Sequence, residues 1–348
     1  MTGRKPTIDD VALRSGVGRT TVSRVLNGGP NVRDEVRRRV LEAVEALNYR
    51  VNPQARSLAG GGSGVLALIL ASDFDAEPNS FYASALELGA VRECLTLGFQ
   101  LITRHVVQGD GAAVAQILDI AVKQRCQGVI LPPPFSDDVE LIEQLRGQGV
   151  QLAAISPGGA AKTLVDGVGV DDEAGGHDIA LCLLERGHRR LGYIGGIRGH
   201  LSAERRLEGV RRALDEAGVP QEALLTERGD FTFRSGGLMA ARLLDHASPP
   251  SAVICANDDM AAGALSLAHA RGLQVPGDLS ISGFDDTPVS AIVWPPLTTV
   301  HQPLKTMGGE AVRLLAARIG GAGGAAAFKV LPHSVVVRNS VDRLHARA

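Results

Sequence analysis

Gly16-Val17-Gly18-Arg19-Thr20-Thr21-Val22-Ser23-Arg24-Val25-Leu26-Asn27 reads as a turn running into a short helix. Val22, Val25 and Leu26 recur at helical spacing and can face a core, leaving Arg19, Thr20, Ser23 and Arg24 on the outer face. Those four side chains suit base edges and phosphates, although a helical hairpin with a solvated face has the same pattern. Upstream, Thr7 can cap a first helix with Asp10 in the capping-box position, and Ile8, Val11, Ala12 and Ser15 share one face. Downstream, a third helix over about 34–47 aligns Val36, Val40, Val44 and Leu47 to complete a three-helix core.

Charge separates this head from the rest. Residues 1–60 carry eleven Lys or Arg against six Asp or Glu, whereas the whole chain has 36 against 38 and a net charge of -2. A basic head on an acidic body points to a polyanion partner for the head alone, with a surface helix rich in arginine as the plain alternative. The start of the chain is polar, the apolar run 65–71 is too short to span a bilayer, and both features point to a cytoplasmic protein without a membrane partner. Cys94, Cys126, Cys182 and Cys255 are widely spaced, so neither a metal site nor a disulfide framework is expected, and no cofactor.

The chain of 348 residues is 45% hydrophobic and exceeds one ordinary domain. A head at 1–50 is followed by 51–64, where a helix-competent stretch after Pro53 runs into the glycine-rich linker 60–64. Beyond it, apolar strands at 65–71, 100–105, 128–131, 151–155, 191–194, 252–255 and 279–283 alternate with helices at about 81–97, 111–124, 175–186, 203–217, 233–245 and 258–271. This alternation predicts parallel sheets covered on both faces, and the length of 65–341 predicts two lobes. Ligands in such folds bind beyond the carboxyl ends of the strands, here between the lobes.

Several motifs taken together resemble the lactose-repressor (LacI/GalR) family across nearly the whole chain. They are Thr7-Ile8-Asp9-Asp10-Val11-Ala12, Thr21-Val22-Ser23-Arg24-Val25-Leu26-Asn27, Asn52-Pro53, Ala55-Arg56-Ser57-Leu58, Ala256-Asn257-Asp258 and Gly283-Phe284-Asp285-Asp286. The resemblance implies a small all-α helix-turn-helix DNA-binding domain plus an α/β two-lobed periplasmic-binding-protein-like domain with parallel sheets. The lobes are expected at roughly 65–163 plus 293–322, and 164–292 plus 323–341. It further implies a homodimer on a pseudo-palindromic double-stranded operator. Thr7, Arg19, Thr20, Thr21, Ser23, Arg24 and Asn27 are then the DNA-binding set of the head, and a G·C pair is expected opposite Arg19. The 52–59 segment resembles a hinge helix that enters the minor groove, with Asn52, Ala55 and Leu58 at the DNA. A wedge at Leu58 would kink a flexible step, so a central CG is expected. Gly18 departs from the usual Ser or Thr, and Arg33 replaces a small cap before the third helix, where it could reach a phosphate.

In the body, the resemblance implies a small-molecule effector, most naturally a sugar or sugar derivative, bound between the lobes. Arg206 can hold two hydroxyls or a carboxylate, Asn257 offers a donor and an acceptor, Asp285 accepts from hydroxyls, and Phe231 supplies an apolar wall. Phe81 and Tyr82 match a stretch lining the pocket from the first lobe. Ser156 stands where many relatives carry aspartate, and Pro132-Pro133-Pro134 replaces a polar strand end, so no particular sugar is named. The implied function is a sequence-specific transcription regulator, a repressor by precedent, with a non-sugar corepressor as the alternative. Two rivals remain: an enzyme built on the paired carboxylates Asp258-Asp259 or Asp285-Asp286, and a solute-binding protein of the same fold. Adjacent carboxylates seldom aim at one substrate, and the basic head opposes the second. The last residues contain no heptad repeat, which favours a dimer over a tethered tetramer.

Overall fold

The computed structural model describes residues 6–26, 32–47, 49, 64–71, 80–107 and 112–344. The chain divides into two compact units, 1–64 and 65–348.

Helices α1 (Ile8–Ser15), α2 (Arg19–Leu26) and α3 (Asp34–Ala46) form the first unit. Thr7 and Asp10 close a reciprocal capping box, with Thr7 N–H donating to Asp10 Oδ2 at 2.7 Å and Asp10 N–H to Thr7 Oγ1 at 3.4 Å. Gly16 ends α1 in the left-handed region at φ 68, which a side chain would disfavour. Val11, Val22, Val25, Val40 and Ala43 make the core of the unit, joined by half-buried Ile8, Leu26, Val44, Leu47 and Tyr49. Arg33 opens α3 without a side-chain cap.

The second unit holds two parallel sheets. Strands β1 (Val65–Ala71), β2 (Gln100–Val106), β3 (Gly128–Leu131), β4 (Gln151–Ile155), β5 (Asp166–Gly169) and β11 (Phe328–Val330) form the first, in the order β11-β5-β4-β3-β1-β2. Strands β6 (Leu191–Gly195), β7 (Leu224–Arg228), β8 (Ala252–Cys255) and β9 (Ser280–Ser282) form the second, in the order β7-β6-β8-β9. Strands β10 (Thr299–His301) and β12 (Ser334–Val336) pair antiparallel. Helices α4 (Ser80–Leu97), α5 (Ala113–Lys123), α6 (Val139–Gly147), α7 (Ala161–Leu164) and α13 (Leu304–Ile319) belong to the first sheet. The second carries α8 (Asp172–Leu184), α9 (Leu201–Glu216), α10 (Phe233–Leu244) and α11 (Asp258–Ala270), with short α12 (Pro288–Ile292) beyond it.

The expected lobe boundaries are corrected at two places. Residues 164–170 and 323–330 were assigned to the second lobe, but β5 pairs with β4 (Ala153↔Asp166) and β11 pairs with β5 (Phe328↔Gly167), so both extend the first sheet. Strand β5 reads Asp-Gly-Val-Gly, with no apolar run to announce it. Its glycines admit close neighbours, and a Cβ on Gly167 would lie 2.6 Å from Pro157 Cγ. The chain therefore passes between lobes after β5, between β9 and α13, and between β11 and β12. All strands of each sheet run parallel, so their carboxyl ends face one cleft.

Candidate functional site

Two surfaces carry the chemistry. On the head, α2 turns Val22 and Val25 inward and leaves Arg19, Thr20 and Arg24 exposed, with Thr21 and Ser23 half-buried. Arg19 Nη1 lies 3.8 Å from Asp9 Oδ2, but both side chains are well exposed, so this pair leaves the guanidinium available at little cost. Thr7, expected at DNA, has its hydroxyl engaged in the capping box of α1. Asn27, Asn52, Ala55 and Leu58 lie outside the described residues.

In the second unit, loops at the strand ends converge on Arg206. Its Nε donates to Asp172 Oδ1 at 2.9 Å and its Nη1 to the Ala256 carbonyl at 2.6 Å. Asp285 Oδ1 is 3.7 Å from Nη1, and the guanidinium lies 3.7 Å from the centre of the Phe284 ring. All three charged groups are buried. Asp285, at φ 105, also accepts from Gln302 Nε2 at 2.6 Å. Burial pushes its carboxyl up to about 7, against the pull of Arg206 and Gln302. Tyr82 faces this group from α4, and burial followed by the charge of Asp285 raises its hydroxyl, so it stays protonated.

The aromatic wall is double. The Phe231 ring lies over Gly196, where a Cβ would sit 2.0 Å from Phe231 Cζ, and packs at 4.7 Å against the His200 ring. His200 caps α9 through Nδ1, which accepts from Ala203 N–H at 3.4 Å, so the proton resides on Nε2. Burial, reinforced by Arg206, pushes this imidazole down to about 3 and keeps it neutral.

One expectation changes here. Asn257 is occupied structurally: its Oδ1 caps α11 by accepting from Met260 N–H at 3.0 Å, and its Nδ2 donates to the Phe231 carbonyl at 2.9 Å. It positions the wall rather than offering both groups to a ligand. Phe81, one helical step from Tyr82, lines a cavity of about 610 Å³ with Leu88, Asp285, Asp286, Gln302 and Leu304. Ser156 follows β4 at φ 48, buried, with its N–H donating to the Val168 carbonyl at 2.7 Å.

Residue type alone did not reveal Asp172, His200, Gln302 and Asp137. Asp137 joins the lobes: Oδ1 accepts from Gly158 N–H at 2.7 Å in the first, and Oδ2 from Leu201 N–H at 3.3 Å at the start of α9 in the second. Burial pushes its carboxyl up to about 6, against these two hydrogen bonds. A raised carboxyl binds a proton more tightly in this arrangement than in the unfolded chain. Its stabilising contribution is therefore complete below the ordinary carboxylate range and is lost as pH rises through about 6. Relative to Asp137→Asn, the wild type should lose stability between about pH 4 and 6 and change no further above that. Thermal melts of both proteins across this range check the sign.

The paired carboxylates diverge. Asp285 faces Arg206, whereas Asp286 turns to Arg338 Nη2 at 2.6 Å and His301 Nδ1 at 3.0 Å. Asp258 is held by Thr287 and Thr299, through N–H at 2.7 Å and Oγ1 at 2.6 Å respectively. Among the described residues no cluster of three metal-binding side chains occurs, and no helix is long and apolar enough to cross a membrane.

Comparison with known proteins agrees with this arrangement. Residues 7–52 match the bacterial regulatory proteins of the lacI family, and residues 180–341 match a periplasmic-binding-protein-like domain. The chain is 34% identical to the HTH-type transcriptional regulator DegA of Bacillus subtilis, covering 98% of this chain and 99% of that protein. It is 35% identical to the regulator CelR of Thermobifida fusca over 97% and 98% of the two chains. Among solved structures, a CelR–cellobiose complex superposes with a TM-score of 0.73 at 33% identity, over 96% and 99% of the chains. A lac repressor dimer bound to operator and an anti-inducer gives 0.73 at 26% identity, over 97% and 100%. With a helix-turn-helix head and a two-lobed α/β body both matched along almost their full length, this chain belongs to the LacI family of bacterial transcriptional regulators.

Proposed function

We propose that the protein is a repressor whose hold on a pseudo-palindromic operator is controlled by a sugar bound between the two lobes. The observation that carries the DNA half is the outer face of α2, where Arg19, Thr20 and Arg24 stand exposed over the buried Val22 and Val25. Thr21, Ser23 and Asn27 flank them. Asn52, Ala55 and Leu58 belong to the segment proposed for the minor groove, at a central CG step. The cleft carries the sensing half: Tyr82, Ser156, Arg206 and Asp285 gather polar groups beside the Phe231 wall, a composition suited to a polyol with one apolar face. The lac repressor structure contains operator and a small molecule, and the CelR structure contains cellobiose, which supports the same pairing here. Binding without chemical conversion is the expected behaviour, in the cytoplasm where DNA is accessible.

The protein acts as a homodimer in this reading. Phe81, Leu88 and Leu95 recur every seven residues along α4, with Leu95 75% exposed, and Ile292 and Trp294 at the end of α12 are 74% and 81% exposed. Such a stripe is large for a monomer surface. Leu88→Glu with Leu95→Glu should halve the mass seen by light scattering and weaken operator binding by at least about tenfold, since one head engages only one half-site.

The deciding experiment selects genomic fragments bound by the full-length protein. The selected operator is then titrated with protein at fixed salt, with and without cellobiose, glucose, galactose and ribose. A palindromic site whose affinity changes with one sugar supports the reading. Binding without sequence preference rejects the DNA half, and sugar turnover or operator affinity indifferent to every ligand that binds rejects the sensing half.

A further inference from the structure

The charge balance inside the cleft narrows the class of effector. Among the described residues, Arg206 is the sole Lys or Arg in the buried set, whereas Asp172, Asp258 and Asp285 are buried carboxylates. Arg206 is already compensated by Asp172 at 2.9 Å and Asp285 at 3.7 Å. Its Nε–H and one Nη1–H are committed to Asp172 and to the Ala256 carbonyl, and Nη2 makes no hydrogen bond among the described residues. A carboxylate or phosphate would have to compete with these two carboxylates for the same guanidinium. A hydroxyl carries no charge and needs no such displacement. His200 presents a neutral Nε2–H, Tyr82 a protonated hydroxyl, and Asp137 adds a further carboxyl at the lobe junction.

Among the described residues no other Lys or Arg is buried. Lys162, whose charge is felt at Asp137, is exposed and lies over the Phe328 ring at 4.5 Å. An anionic ligand would therefore enter a buried site that is neutral at best, with no uncompensated cation among the described residues to receive it. Sugar hydroxyls have the opposite fit, donating to Asp172 and Asp285 and accepting from Arg206 and His200.

We propose that the effector is an uncharged sugar held through its hydroxyls, and that phosphorylated sugars and sugar acids are excluded from the cleft by charge. This rests on the cleft being the effector site. It departs from the expectation that Arg206 could equally hold a carboxylate.

The test uses full-length protein and matched pairs differing only in charge: glucose and glucose 6-phosphate, galactose and galacturonate, cellobiose and cellobionate, with inorganic phosphate as the minimal anion. Binding is followed by calorimetric titration and thermal shift at pH 7.5. The neutral member of any pair that binds should do so at least about 100-fold more tightly, the scale of an uncompensated like charge, and phosphate should give no saturable signal. An anionic member binding as tightly as its neutral partner overturns the proposal. A panel in which no sugar binds rejects the sugar-sensing reading instead. The charge argument is then judged on Asp172→Asn with Asp285→Asn, and on each single change. Removing the compensating carboxylates should create saturable phosphate binding that the wild type lacks. Circular dichroism confirms that the variants are folded, and a folded double variant that still ignores phosphate overturns the inference.

Discussion

Arg206→Ala is expected to cost the protein both its response to effector and a large part of the stability of its body. The guanidinium is buried among Asp172, Asp285, the Ala256 carbonyl and the Phe284 ring, so its removal strands two buried carboxylates and one carbonyl together. Breaking a buried pair from one side costs about 3–5 kcal/mol, far more than the pair contributes over an apolar substitute. Because Asp285 already sits near pH 7 with the arginine in place, the variant can escape part of this penalty by protonating it. The sign follows. Loss of the cation raises that carboxyl further, so the variant regains stability as pH falls below about 7, and the gap to wild type widens above it. Thermal melts from pH 5.5 to 8.5 read this directly. Arg206→Lys separates the two roles, because an ammonium still faces the carboxylates but cannot reproduce the planar bonds to Asp172 and Ala256 together. Most of the stability should return with lysine while effector binding stays weakened by about 100-fold or more. Operator binding should persist in both variants and lose its dependence on ligand, since the head is a compact unit of its own.

Much of the architecture was legible because period and apolar runs reflect burial. Strands β3, β4 and β8 coincide with the predicted 128–131, 151–155 and 252–255, all four- or five-residue apolar stretches in the middle of parallel sheets. Elements without such a run escaped. Strand β5 is half glycine, β7 at a sheet edge reads Leu-Leu-Thr-Glu-Arg, and α13 carries Gly308-Gly309 in its second turn, where a Cβ on Gly308 would fall 2.1 Å from the Leu86 carbonyl of α4. Those glycines serve helix contact, which a single sequence does not announce. The site divides the same way. Arg206, Asp285 and Phe231 were readable from their motifs, and they do converge. Asp172, Gln302, His200 and Asp137 were not, because each acquires its role from a partner 17 to 64 residues away in sequence. His200 is the exception in range, since it caps its own helix, but its stacking on Phe231 is long-range. Asn257 was assigned by type as a ligand group, and cap geometry gives it a different task. Phe81 and Tyr82 divide their tasks, because consecutive helical residues point about 100° apart: Tyr82 turns toward Arg206, and Phe81 lines the cavity that Asp285 and Gln302 share.

The head permits an equally sharp separation of effects. Arg19 and Arg24 are both exposed arginines on one eight-residue helix, yet they are expected to fail differently when removed. Arg19 lies at the start of α2, the end of a recognition helix that meets base edges, and its weak exposed contact with Asp9 does not compete with a guanine. Arg19→Ala should therefore cost about 1–3 kcal/mol on the selected operator and much less on random DNA, with the base preference relaxed at one position in each half-site. Arg24 lies more than one turn further on, where a helix leaving the groove meets the backbone. Arg24→Ala should weaken selected and random DNA alike, and lower the slope of log affinity against log salt by about one per head. Neither change should unfold the head, because the core of Val11, Val22, Val25, Val40 and Ala43 is untouched. Fluorescence anisotropy on both DNAs at four salt concentrations distinguishes the two residues. Equal losses on both DNAs for Arg19→Ala would remove it from base reading and leave α2 with a backbone role only. A base-specific loss for Arg24→Ala would instead shift the reading surface along the helix, toward Ser23.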